Sequence, residues 1–165
     1  MDAIFERLLG NNFSELVGLT LDASIPVTEQ LANEIIESAL QGNPNITYCR
    51  VAISRENRVR VSVKSPRWPW PVDLKLKLFR NVDFTDSPRV RAFLENNILL
   101  GKLGALFKAL PDGITIYENQ ISVDIGSFLH TQQQKRLLDL VKSVEIKTEE
   151  GKVIFDIKAG VDGER

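Results

Sequence analysis

The sequence predicts an α+β fold in which a bent, mostly antiparallel sheet wraps around one or more apolar helices. Three observations lead to this prediction. Apolar and polar residues alternate in many short runs, as they do in strands with one buried face. Most neighbouring runs are separated by turn residues rather than by helices, which favours antiparallel pairs over a parallel sheet. One segment, 98–110, is apolar nearly all round, which is typical of a helix buried on most sides.

The clearest strand pair covers residues 58–64 and 72–78, which are joined by the loop SPRWPWP. Every second residue of each run is valine or leucine, and the residues between them are mostly arginine and lysine. Successive side chains of a strand point to opposite faces, so each run has one apolar face and one largely basic face. We therefore expect an antiparallel pair that is apolar inside and cationic outside.

The elements before this pair follow from the same two periodicities. Residues 1–18 are predicted to form an N-terminal helical segment that packs on the domain, and 19–27 alternate as a strand. Thr28 is a suitable N-cap for a helix whose apolar residues recur at helical spacing between 31 and 40. Residues 46–54 then alternate as a strand and reach the central pair through a short hairpin turn.

The elements after the pair continue the series of hairpins and helices. The predicted order is listed here: an irregular stretch at 80–88, a strand at 89–94, the apolar helix at 98–110, a hairpin of 114–117 with 120–125, a helix from about Thr131 with Leu137, Leu138 and Val141 inward, a hairpin of 144–148 with 152–161, and a frayed tail at 162–165. No composition break or long linker divides the chain, so we expect one domain over 1–165.

Composition places the chain among ordinary globular proteins. It has 165 residues, of which 43% are hydrophobic and 26% charged. Cys49 is the only cysteine, so no intrachain disulfide can form. The N-terminus is acidic rather than basic, and no run approaches the roughly 18 apolar residues of a membrane span. These features predict a soluble, cytoplasmic protein.

Charge is distributed unevenly along the chain. The net charge is -1, yet residues 50–91 hold eleven basic and four acidic residues. That segment therefore carries +7 within an otherwise acidic protein, and the central sheet holds most of it. The basic face could serve only solubility and edge protection, or it could bind an anionic partner. Specific nucleic-acid binding is not expected, because the outward positions of 58–64 and 72–78 hold no aromatic residue for base stacking.

Residues suited to catalysis are few and scattered. His130 is the only histidine, so neither a catalytic triad nor a histidine-rich metal site can be built within this chain. Cys49 falls on the apolar phase of its strand, and Asp83 and Asp86 lie in a turn-forming stretch. We expect no enzyme activity, no metal and no cofactor. The alternative is a site that folding assembles from two or more of these four residues and Asp124.

The loop between the central strands holds both tryptophans. Trp68 and Trp70 flank Pro69, with Pro71 beyond, which makes the loop stiff. One interpretation is that both rings cover the end of the core. The other is an exposed aromatic tip beside cationic strands, a combination found at bilayer interfaces and at protein hot spots.

Three stretches carry a family resemblance: ISREN-RVRVSV, ALPDGITIYENQISVDI and VEIKTEEGKVIFDIKAGV. With their order of elements over about 19–161, they resemble bacterial LmeA-like phospholipid-binding proteins, whose tubular lipid-binding fold has a bent sheet around a long helix. The resemblance implies an apolar cavity between sheet and helix and carries over no catalytic residues.

Taken together, these features predict non-enzymatic binding of a lipid or other amphiphile in an apolar cavity with a basic rim. The expected partner is a lipid or an anionic membrane surface. The alternative is a protein-interaction or assembly module that docks a partner through the Trp68/Trp70 loop. The predicted ligand-binding residues are Arg58, Arg60, Lys75, Lys77, Trp68, Trp70, Val61, Leu76, Leu103 and Phe107.

Overall fold

The computed structural model describes residues 18–95, 113–128 and 138–160. The elements within these ranges are β1 (Thr20–Thr28), α1 (Glu29–Leu40), β2 (Tyr48–Ile53), β3 (Arg58–Lys64), β4 (Val72–Leu78), β5 (Arg89–Leu94), β6 (Ile114–Tyr117), β7 (Gln120–Asp124), a 3-10 helix (Ile125–Phe128), β8 (Val141–Glu149) and β9 (Lys152–Gly160). The predicted helical segment at 1–18 (except Gly18), the helix at 98–110, most of the one after Thr131 and the tail 162–165 lie outside the described residues.

The described strands form two sheets. The large sheet has the order β2-β3-β4-β5-β7-β6, and the small sheet has the order β1-β9-β8. Every strand pair within them is antiparallel. The prediction of an α+β protein with mostly antiparallel strands is therefore confirmed. In the part of the chain described, no helix is both long enough and apolar enough to cross a membrane.

One predicted boundary is wrong. Val141 was expected to face inward from a helix, but it begins β8 and pairs with Ala159 of β9. A shift of register between Val141 and Ser143 interrupts the pairing there. The irregularity hides the strand's start, because a bulge breaks the two-residue alternation from which the strand was predicted.

The core lies on the inner face of the large sheet. Its buried cluster consists of Ile46, Val63, Leu74 and Leu94. These residues come from neighbouring strands and from the segment before β2, so cross-strand pairing brings them together. Half-buried side chains pack around the cluster, namely Leu40, Cys49, Val61, Trp68, Val72 and Leu76. The alternation in the sequence placed the valines and leucines of β3 and β4 on this face.

Asn57 joins the two sheets from the turn between β2 and β3. Its φ of 58° is left-handed, a conformation that asparagine tolerates better than most residues. Its side-chain amide donates to the Ile146 carbonyl at 3.0 Å and accepts from the Thr148 N–H at 3.0 Å. Its own N–H donates to the Thr148 hydroxyl at 2.7 Å. One turn residue thereby satisfies main-chain groups of β8.

Helix α1 covers the outer edge of the large sheet. Thr28 caps the helix as predicted, since its hydroxyl accepts from the Leu31 N–H at 3.2 Å. One turn further along, the Asn33 amide accepts from the Val51 N–H at 2.7 Å and donates to the Val51 carbonyl at 2.9 Å. The side chain thus takes the place of a neighbouring strand, which protects the β2 edge.

Candidate anion-binding face

The outward side chains of β2, β3, β4 and β5 form one surface, which we call the outer face. Cross-strand register fixes the positions of its basic residues relative to one another. Arg58 lies directly opposite Lys77, and Arg60 lies directly opposite Lys75. The four predicted basic residues are therefore brought together as two like-charged cross-strand pairs.

The charges on this face are only partly compensated. Arg58 pairs with Glu56 at 2.7 Å and with Glu95 at 3.4 Å. Within the described ranges, neither Arg60 nor Lys77 has an ion-pair partner. Like charges directly opposite each other destabilise an antiparallel pair, so an anion bound above Arg60 and Lys77 would offset charges that the described acidic residues do not pair with. The outer face is thus suited to binding an anionic group.

Aromatic side chains stand beside these cations. Phe93 of β5 lies directly opposite Lys77 and is 45% exposed, and Tyr48 of β2 lies opposite Lys64. The Arg91 guanidinium lies over the Phe79 ring, 5.2 Å from its centroid.

The sequence did not predict Phe79 and Phe93 on this face, because both lie at strand ends and the outward positions considered were those of the two central strands. In 89–94, Val90, Ala92 and Leu94 are the inward residues. The same alternation therefore places Phe93 on the outer face. The outer face therefore offers apolar rings as well as positive charge.

The two tryptophans of the loop have different surroundings. Trp68 is half-buried, and its ring packs against the core cluster. Its main-chain N–H donates to the Ser65 carbonyl at 3.0 Å. Trp70 is 70% exposed. One ring therefore covers the end of the core, and the other stands in solvent at the end of the outer face. Each interpretation of the loop describes one of the two rings.

An open groove of about 660 Å³ lies on the outer face where the chain enters this loop. Its lining residues are Thr47, Tyr48, Ser62, Lys64, Pro71 and Asp73. Lys64 contributes a positive charge and the Tyr48 and Thr47 hydroxyls contribute hydrogen-bonding groups, while Pro71 is the first residue after Trp70. The groove is thus a polar recess that reaches the loop carrying Trp70.

The predicted apolar lining lies on the other side of the same sheet. Val61 and Leu76 point inward and pack against the core cluster. Because Arg60 and Lys75 point outward, the thickness of the sheet separates them from Val61 and Leu76. The two faces meet at the loop that holds Trp68 and Trp70. Leu103 and Phe107, the other two predicted lining residues, lie outside the described residues.

Three of the residues considered for catalysis lie around Arg89, which pairs with Asp124 on one side and bridges to Asp83 on the other, while the Asp86 carboxylate lies 4.0 Å from its guanidinium. Burial raises the pKa of the Cys49 thiol, which favours its protonated form. The Asp83 carboxylate accepts from the Thr85 hydroxyl at 2.7 Å and from its N–H at 3.0 Å, and these bonds lower the pKa of Asp83. Asp124 accepts from the Ser87 hydroxyl at 2.9 Å. His130 lies outside the described residues.

Among the described residues, no three histidine, cysteine, aspartate or glutamate side chains are grouped so that they could hold a metal ion.

Comparison with known proteins was made at three levels. No family model matches the chain, and no curated protein or solved structure matches it either. Function is therefore inferred from the outer face and its surroundings.

Proposed function

We propose that this protein binds an anionic amphiphile without catalysing a reaction, and that it does so at a lipid surface through the outer face and Trp70. One observation carries the proposal. The like-charged pairs of β3 and β4 lie on the same side of the sheet as the polar groove, and the loop that joins these two strands carries the exposed Trp70. Anionic headgroups would lie over the cations, and the ring would enter the interfacial region.

The two contributions act together at a lipid surface. A basic residue close to an anionic bilayer contributes about 1 kcal/mol of attraction, which salt weakens. Tryptophan favours the interface because its ring is apolar while its N–H can still meet water or headgroups. Arg67 and Lys64 lie on either side of the start of the loop. The loop therefore supplies both kinds of contact over a few residues.

The sheet-helix cavity remains the finer form of this proposal. In that form the bent sheet wraps the apolar segment 98–110, as the resemblance to LmeA-like proteins implies. The lipid tail then lies against Val61, Leu76, Leu103 and Phe107, and the headgroup reaches the basic rim around the Trp loop. Native mass spectrometry of gently purified protein separates the two forms. Co-purified lipid supports the cavity, whereas a ligand-free mass with vesicle binding supports the surface form alone.

Vesicle flotation tests the surface form directly. We expect the wild type to bind vesicles that contain phosphatidylserine more tightly than vesicles of phosphatidylcholine alone. Arg60→Glu with Lys77→Glu should weaken binding to the anionic vesicles by at least about tenfold, since two attractive charges become repulsive. The matched control is Lys152→Glu with Lys158→Glu, which makes the same change of net charge on the small sheet. An equal loss in the control would contradict the proposal.

Trp70→Ala tests the aromatic contribution separately. We expect it to weaken vesicle binding and to leave thermal stability nearly unchanged, because the ring is mostly in solvent. Trp68→Ala is the opposite case, since it removes a ring that packs on the core and should lower stability. Equal affinity of wild type and Trp70→Ala for anionic vesicles would remove the ring from the binding site.

A second candidate is a protein-interaction module that docks a partner through this loop. The exposure of Trp70 on a proline-stiffened loop favours it, because large rigid rings dominate protein hot spots. Analytical ultracentrifugation of wild type and Trp70→Ala tests the case in which the partner is another copy of the chain. Association that disappears in Trp70→Ala supports it, and association that persists unchanged excludes the loop as the contact.

A further inference from the structure

The free edge of β1 is the feature that the proposed function does not use. Among the strands described, β1 is the outermost of the small sheet and pairs with β9 alone. The Glu29 N–H donates to the Gly151 carbonyl at 2.8 Å, which fixes the positions that bond across to β9. By alternation, the main-chain N–H and C=O groups of the odd-numbered residues of β1 bond to β9. Those of the even-numbered residues point to the free edge.

A second bond confirms this assignment. The Gly160 N–H donates to the Leu140 carbonyl at 2.9 Å, towards β8, so Gly160 does not bond to Thr20, its partner in β1. The main-chain groups of Thr20, Asp22 and Ser24 are therefore directed away from the sheet. In the part of the chain described, none of these groups takes part in a hydrogen bond. They form an unused row of donors and acceptors.

Pro26 falls on the same outward-directed phase. Proline has no N–H, and within sheets it is found mainly where that group would point to a free edge. Its position agrees with the assignment above, and it also limits how far a further strand can pair. A strand added to β1 has its complete set of bonds between Thr20 and Ser24.

The odd-numbered side chains of β1, together with Leu19 just before it, make an apolar face whose large side chains are exposed. Leu19 is 58% exposed, Leu21 is 63% exposed and Ile25 is 47% exposed. The large sheet handles its β2 edge differently, since the Asn33 amide from α1 occupies the main-chain groups of Val51. An uncovered edge with exposed apolar side chains is a template for another strand.

We propose that two copies of this chain associate through antiparallel pairing of their β1 strands, with the two-fold axis at Ala23. A register that keeps apolar residues opposite apolar residues must be centred on a residue of the strand rather than between two residues. Centring on Asp22 would place two carboxylates directly opposite each other. Centring on Ser24 would leave Leu19 without a strand partner. Centring on Ala23 avoids both problems.

This register makes every exposed apolar residue of β1 meet an apolar one. Leu21 lies opposite Ile25 of the second copy, and Leu19 lies opposite its Val27. On the polar side, Asp22 lies opposite Ser24 of the second copy, and the pair exchanges main-chain hydrogen bonds. By the alternation of an antiparallel ladder, about six such bonds form across the axis. One further bond per copy is missing, because Pro26 has no N–H to donate. The small sheets then join into one sheet of twice the width.

The expected affinity is modest. A contact made by one strand from each copy is at the low end of specific interface sizes, so we expect a dissociation constant on the order of micromolar. Sedimentation of the full chain from low micromolar to several hundred micromolar should show a monomer-dimer equilibrium. A monomer at all of these concentrations overturns the proposal. The proposal is overturned equally if the monomer persists because residues before Thr20 cover the edge.

Leu21→Glu should weaken the dimer by at least about tenfold, because it places a charge opposite Ile25 of the second copy. Leu31→Glu is the matched control, since Leu31 is also exposed, at 45%, but lies on α1. Equal weakening by both variants contradicts pairing through β1. Association lost in Trp70→Ala and retained in Leu21→Glu assigns the contact to the Trp loop instead.

A disulfide across the axis tests the register. In a Cys49→Ser background, Ala23→Cys places the two cysteines opposite each other at a non-hydrogen-bonded pair. The Cα atoms of such a pair are about 4.5 Å apart, which a disulfide can span. We expect covalent dimer on treatment with oxidised glutathione.

Asp22→Cys is the matched control for this cross-link. Its two copies are offset by two residues along the strand, roughly 7 Å, so they should not bridge. Equal cross-linking of the two variants, or none of Ala23→Cys, overturns this register.

Discussion

The outer face of the large sheet and the polar face of the small sheet are built from similar alternating strands but differ in how their like-charged pairs are compensated. On the small sheet, Lys147 pairs with Asp156 at 2.8 Å and with Glu145 at 3.5 Å. Glu145 also pairs with Arg80, and Ser24 donates to Asp156 at 2.7 Å. Glu145 lies directly opposite Asp156, so this face also holds a like-charged pair, but Lys147 pairs with both carboxylates. On the outer face, neither Arg60 nor Lys77 has an ion-pair partner within the described ranges.

The difference bears on what the outer face is for. Solubility requires charged side chains on a sheet surface, but it does not require like charges without an ion-pair partner. On the small sheet, Lys147 supplies the opposite charge to the opposed carboxylates of Glu145 and Asp156. We therefore attribute the excess of positive charge on the outer face to binding. Variants and conditions that change one face at a time test that attribution.

The largest effect on stability is expected at the junction of the two sheets. Asn57→Gly removes the side-chain bonds to Ile146 and Thr148 and keeps a residue that accepts a left-handed φ. The free energy of unfolding should fall by about 2 kcal/mol, which urea denaturation measures. Asn57→Ala is the comparison and should fall further, because alanine is strained at that φ. An unchanged midpoint would show that the sheets do not depend on this contact.

The next largest effect is expected from salt, which should weaken vesicle binding much more than it changes thermal stability. Binding to anionic vesicles should weaken by about tenfold between low and moderate ionic strength, since screening acts on exposed, uncompensated charges. The midpoint of thermal unfolding should change much less over the same range. Flotation at a series of salt concentrations measures the first quantity and circular dichroism the second. Vesicle binding that is insensitive to salt would contradict an electrostatic contact.

Acid should destabilise the small sheet through its paired carboxylates. The bond from Arg80 lowers the pKa of Glu145, and the bonds from Lys147 and Ser24 lower the pKa of Asp156. Their contribution is present above the ordinary carboxyl pKa of about 4 and is lost as pH falls through the lowered values.

Thermal melts measured downward from pH 6 should therefore show a small loss of stability, because exposed pairs contribute little. In Asp156→Asn this pH-dependent loss should be smaller. A pH profile that is identical in the variant would remove Asp156 from the network.

The smallest effect should have opposite signs on the two faces. Lys77→Gln removes one charge of a like-charged pair and should raise the free energy of unfolding by about 0.3 kcal/mol. Lys147→Gln removes the shared partner of Asp156 and Glu145 and should lower it. Lys77→Gln should also weaken vesicle binding. A loss of stability in both variants would show that the charge of Lys77 stabilises the fold rather than opposing it.

The sequence by itself determined most strands, the first described helix and the two faces of the central pair. These features depend on local periodicity, because side-chain direction in a strand repeats every two residues whatever the strand pairs with. Thr28 is another local case, since a cap needs only the first turn of its own helix. The grouping of Arg58 and Arg60 on one face follows in the same way.

Only the tertiary structure determined which strands and side chains lie beside each of those faces. The division into two sheets depends on pairing between distant residues, such as β1 with β9. The same holds for Phe93 beside Lys77, for the separation of Trp68 from Trp70, and for the two asparagines that replace a neighbouring strand. Each of these results from long-range register, and a one-residue slip would move every side chain of a strand to the other face. Local alternation gives a strand two faces, but only pairing gives each face its neighbours.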